Sequence, residues 1–201
     1  MQIHVVLIFS IIVYSCFPQL SLAQSQNKSE QSKTNSNSKA SIDSFYLEKQ
    51  AYKKLGQLVL NSDYQKSFNS FIDTMNNYSG SDLYYTNLNF ILEFIEKNNI
   101  PFLIRKNKNN SFFDSTLEVT ELMNKNFNIQ VDLSSASEKY QWNDFNCTIE
   151  SDKLLRNYGF QYGFVDTESD ENIILIHKVS DEKTVRTLVK EIGYNYFIAD
   201  E

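Results

Sequence analysis

Four acidic side chains, Asp166, Glu168, Asp170 and Glu171, crowd one short turn in "FVDTESDENIILIHK" (residues 164–178), and His177 stands near its end. Carboxylates at such spacing could hold a cation, or bracket a bond as general acid and base. An EF-hand register starting at Asp166 puts Glu171 on the turn glycine and His177 on the closing glutamate, so that motif is excluded. An ordinary hairpin accounts for the same residues. Asp, Ser and Asn favour turns, and a charged tip stays solvated. We expect a hairpin tip with Asp166, Glu168, Asp170 and His177 as candidate binding residues, and neither a metal nor a cofactor. The alternative is a hydrolase or metal-dependent enzyme using Asp166 and Asp170.

Cys147 and His177 offer a second chemistry, nucleophile and base. Cys147 lies in "QWNDFNCTIE" near Trp142 and Phe145. We read it as a small buried thiol, and His177 as partly exposed at a strand end. Other signatures are absent. Five glycines form neither G-x-G-x-x-G nor a P-loop. G-x-S-x-G and H-E-x-x-H are missing too. Phe160, Tyr162 and Phe164 alternate as base-stacking aromatics do in RNA-binding sheets. Without interleaved Lys or Arg they read as core.

Charge narrows the partners. From residue 42 onward 16 Lys and Arg face 24 Asp and Glu, a net charge of −8. That repels nucleic acid and anionic lipid and favours a basic protein partner.

The first residues set the compartment. The apolar run over residues 3–14 is shorter than the roughly 20 residues needed to cross a bilayer, but it suits a signal-peptide core. Ser21 and Ala23 are the small residues of a cleavage site, so we expect residues 1–23 to be a signal peptide. The product would be periplasmic or extracellular. "VYSC" gives a rival: lipidation at Cys16 would tether the chain to a membrane. After cleavage only one cysteine remains, so no internal disulfide can form. Residues 24–41, rich in Ser, Asn, Gln and Lys, read as a disordered linker.

Periodicity supplies the elements. Residues 42–100 read as three helices. Ser44 caps the first, whose stripe is Tyr52, Leu55 and Val59. The second carries Tyr64, Phe68, Phe71, Ile72 and Met75 and ends at Gly80. The third starts at Ser81 and carries Leu88, Ile91, Leu92 and Ile95. Residues 101–201 read as an α+β domain. It holds an edge strand (101–106), a helix, a strand (128–133), a helix closed by Gly159, two hairpin strands, a helix capped by Ser180 and a last strand. From residue 128 the order is β-α-β-β-α-β, a ferredoxin-like (split βαβ) sheet with both helices on one face. Ile173 and Leu175 point one way and Ile174 and Ile176 the other. We therefore expect the N-terminal helices to cover the second face. Gly163 marks a bulge or a close backbone approach.

The stretch from Trp142 to Phe197, with Val165-Asp166-Thr167-Glu168-Ser169-Asp170 as its [IV]-D-T-x-S-D motif, is similar to an uncharacterised bacterial domain family. The resemblance covers about the last 70 residues and implies no activity. The whole reads as an exported bacterial binding module, such as an immunity-type inhibitor of a secreted toxin.

Overall fold

The helices form where their apolar stripes fall. The computed structural model describes residues 31–78, 86–107, 113–139 and 145–199. Residues 1–23, expected to be a signal peptide, lie outside them, as do Cys16, Gly80, Ser81 and Trp142. The chain divides into two units, Met1–Ser38 and Lys39–Glu201. The described part of the first, residues 31–38, is helical.

Helix α1 runs Gln31–Val59, α2 Ser62–Thr74 and α3 Asn87–Lys97. The helical reading of residues 42–100 holds in outline, but α2 stops at Thr74 and residues 75–78 lie outside any helix, where the second helix was expected to run on to Gly80. Two further differences stand at the start of α1. Residues 31–41 are helical, where a disordered linker was expected. Ser44 consequently lies inside α1 and caps nothing. The linker has no Pro or Gly between residues 31 and 41. No residue there therefore blocks a helix nucleated by the Tyr52 stripe from propagating backward. Asn61 caps α2 by accepting from Asp63 and Tyr64 N–H, and Thr86 caps α3 by accepting from Asn89 N–H. The expected stripe residues of all three helices are buried, except half-buried Tyr64 and Phe71.

Next come β1 (Ile104–Asn107), α4 (Phe113–Phe127), α5 (Ser134–Lys139), α6 (Phe145–Arg156), β2 (Phe160–Asp166), β3 (Glu171–Lys178), α7 (Glu182–Glu191) and β4 (Asn195–Ile198). A 3-10 turn, Val179–Asp181, precedes α7. Ser180 does not cap that helix. Its hydroxyl donates to Asp181, which occupies the cap position without a side-chain hydrogen bond. Gly159 and Gly193, both at positive φ, reverse the chain after α6 and α7.

The protein is α+β, with helices leading and a four-stranded antiparallel sheet of order β1-β3-β2-β4 following. β3 lies between parallel β1 and β2, and β2 between parallel β3 and β4. Both are split βαβ arrangements, but not on the expected strands. Residues 128–133 form no strand. Val131 and Leu133 are buried there by packing, and the edge beside β3 belongs to β1. A ferredoxin-like sheet would place the strand before the first crossover at its centre. Here the β2–β3 hairpin is central.

Each sheet face has its own core. Val165, Ile173, Leu175 and Tyr196 pack with α1, α2, α3 and α7. Ile104, Phe160, Tyr162, Phe164, Ile174 and Ile176 pack with α4 and α6. The two-sided burial was expected. The helix placement differs: α7 shares a face with the N-terminal helices, so α6 and α7 are on opposite faces. No helix among the described residues is long and apolar enough to cross a membrane.

Candidate functional site

The β2–β3 hairpin positions the acidic turn. Pairing runs from Phe160↔Lys178 to Val165↔Ile173, and residues 167–170 form the tip. Asp166 accepts from Glu168 N–H at 3.0 Å, Ser169 accepts from Glu171 N–H at 3.2 Å, and the Thr167 and Ser169 hydroxyls meet at 2.7 Å. These bonds tie the turn together locally. Glu168 takes positive φ, 56°, which costs a non-glycine residue some strain. Asp166, Glu168 and Asp170 are exposed, and Glu171 is half-buried. None of the four forms an ion pair with a described lysine or arginine.

His177 does not join them. It pairs with Gln161, five residues along β2 from Asp166, about 16 Å at 3.3 Å per residue. It is also fully buried, where a partly exposed position was expected. The alternation that sends Ile173 and Leu175 into the core sends His177 there too. Nδ1 lies 2.8 Å from the Lys178 carbonyl oxygen and Nε2 2.5 Å from the Tyr196 hydroxyl. A carbonyl can only accept, so Nδ1 carries the proton and Nε2 accepts from Tyr196. Burial holds the imidazole below its ordinary pKa, against the opposing pull of the Lys178 carbonyl and the Glu182, Asp181 and Asp152 carboxylates.

Around this pair lies a polar network that the sequence did not announce. Arg186 donates to the Tyr196 carbonyl oxygen at 3.0 Å and to Glu182 at 3.3 Å. Its guanidinium stands 5.0 Å from the Tyr196 ring centroid. Gln161, also buried, donates to Glu182 at 3.2 Å, and these bonds hold the Glu182 carboxyl below its usual range. Gly163 is the one clue the sequence carried. It is a close approach, and what approaches is the Tyr196 ring.

Cys147 is on the other side of the sheet. Its buried thiol donates to the Ala136 carbonyl oxygen at 3.6 Å and neighbours Tyr162, in the core of the opposite face. The β-sheet stands between Cys147 and His177, so they form no nucleophile–base pair. Beside Cys147, buried Asp152 accepts from Tyr162 N–H at 2.7 Å and from Arg156 Nε at 2.6 Å. β4 pairs with β2 only from Gly163 to Asp166. Asp152 therefore satisfies a strand N–H beyond the end of β4. Burial, with the nearby Asp152 carboxylate, pushes the Tyr162 phenol far above its usual range.

Among the described residues, no three of His, Cys, Asp and Glu stand together as a metal-ligand set. A cleft of about 360 Å³ opens between the end of α3, β1 and α4, lined by Ile100, Leu103, Arg105, Glu118 and Lys125 among others. Asp166, Glu168, Asp170 and His177 are not part of it. No protein-family model, curated protein or solved structure matches the chain.

Proposed function

We propose that the chain is an exported bacterial interaction module without catalysis, and that its acidic hairpin tip contacts a basic partner protein. An immunity-type inhibitor of a secreted toxin is the form of this reading that fits best. One observation carries it: the tip presents Asp166, Glu168 and Asp170 to solvent, without a described cationic partner, at the end of a rigid central hairpin. A rigid base presents such charges at little cost in ordering entropy. The net charge of −8 from residue 42 onward steers a basic partner to the same molecule. The sheet between Cys147 and His177 argues against the nucleophile–base pairing, and His177 stands too far along β3 to assist Asp166 and Asp170 at the tip.

Thermal unfolding tests this reading against metal chemistry at the tip. The melting temperature is expected to be the same in millimolar Ca²⁺, Mg²⁺, Mn²⁺ or EDTA. An ion in hundredfold excess over its Kd would stabilise the fold by about 2.7 kcal/mol. A rise with one ion, abolished by Asp166→Ala or Asp170→Ala, would replace the contact reading with a metal site.

A further inference from the structure

We propose that the His177–Tyr196 contact is an acid-sensitive latch that holds β4 and α7 on the sheet. Tyr196 is the buried residue of β4, and its carbonyl oxygen is held by Arg186 of α7. The hydroxyl–imidazole bond therefore ties both elements to β3. The bond as it stands, with Tyr196 donating, needs a neutral ring. Protonation puts a hydrogen on Nε2, so the hydroxyl must turn its own proton away and accept from Nε2–H, beside a ring that now carries a full charge in a buried position. The phenol cannot swing clear either, because its ring is seated against Gly163. The new charge would lie in a core shared with Leu175, Val185 and Val189.

The charged groups that act on His177 are Glu182 of α7 and Asp181 of the preceding turn, with Asp152 of α6 acting from across the sheet and Arg186 against the Tyr196 ring. The three carboxylates favour the protonated ring, but burial outweighs them. The unfolded chain, or one with β4 released, binds the proton more readily than the closed state. The latch is at full strength above the ordinary imidazole pKa of about 6.5 and weakens as pH falls through the folded value. Release would free the sheet edge at β4 and uncover the Val165 side of β2. The opposite face, with α4 and α6, does not take part.

Amide hydrogen exchange on the full chain, corrected for intrinsic rates, tests the proposal between about pH 7.5 and pH 5, a range that spans the ordinary imidazole pKa. Protection is expected to fall selectively in residues 182–191 and 195–198, with α4 unchanged. His177→Gln should abolish the acid response. Tyr196→Phe, which keeps the ring over Gly163 but loses the donor, should raise exchange at β4 already at the higher pH. The His177 imidazole signal in the wild-type protein supplies a readout that needs no variant, and its midpoint should lie below that of an unfolded peptide. An ordinary midpoint, a uniform loss of protection, or an undiminished acid response in His177→Gln would each overturn the latch.

Discussion

The Tyr196 ring lies so close over Gly163 that a β-carbon at Gly163 would stand 2.4 Å from Tyr196 Cε2 and 2.5 Å from its hydroxyl oxygen. Glycine is therefore needed here for space rather than for backbone freedom. The contact fixes the phenol where it meets His177.

Gly163→Ala is expected to destabilise the fold by about 1–3 kcal/mol, the usual cost of overpacking a core. Denaturant unfolding measures the loss. The Tyr196 hydroxyl must also leave His177, so the imidazole should become easier to protonate in the variant. An NMR titration would follow that change.

Asp166→Ala should cost about 0.5–1.5 kcal/mol, one hydrogen bond to the Glu168 N–H. Asp170→Ala should cost close to nothing, since Asp166 and Ser169 accept the backbone N–H bonds of the turn. Urea midpoints of the two variants separate them. Equal losses would contradict the geometry of the turn.

Asp152→Ala should be more damaging than Arg156→Ala. The first leaves the buried Tyr162 N–H without its acceptor, at about 1–3 kcal/mol. The second removes a half-exposed cation, and Asp152 keeps its bond to the strand. Paired unfolding curves decide the ranking.

Glu48 supplies a pH prediction of opposite sign to that of His177. Burial raises its carboxyl pKa, and the Asn87 amide that donates to it at 2.8 Å offsets this only in part. A raised folded value means that stability is fullest below the ordinary carboxylate pKa and declines as pH rises through the folded value. Glu48→Gln should therefore be more stable than the wild type at neutral pH, and the gap should close in acid. A wild-type advantage at neutral pH would show that the ionised carboxylate is the favoured form.

Much of this was legible in local pattern. The stripe Leu88–Ile91–Leu92–Ile95 found its core, and the β2–β3 hairpin stands where turn chemistry put it. Residues 128–133 follow a strand-like pattern without forming a strand. Alternation at Ile129, Val131 and Leu133 reports burial, and burial needs no strand partner. The burial of His177 is also written in the pattern, since period two from Ile173 and Leu175 reaches it directly. The exposed Lys178 beside it suggested a rim position. Tyr196, Gln161, Arg186 and Asp152 had no local signal, because each acquires its meaning from an element distant in sequence.

Cys147 should alkylate slowly in the native protein. It is buried, bonded to the Ala136 carbonyl and shielded from His177 by the sheet. Rapid labelling at neutral pH would restore the nucleophile reading.

The central claim is that the hairpin tip is a contact surface for a basic protein. The most direct test is capture from the extracellular fraction of the source organism, comparing the wild-type chain with a tip variant, Glu168→Gln with Asp170→Asn and Glu171→Gln. These substitutions keep the Asp166 and Ser169 bonds, so the melting temperature should hold. A basic protein retained by the wild type, lost on the variant and released by moderate salt is the predicted result. Retention of the same partner by the variant at undiminished affinity would contradict the account and move the interface away from the tip.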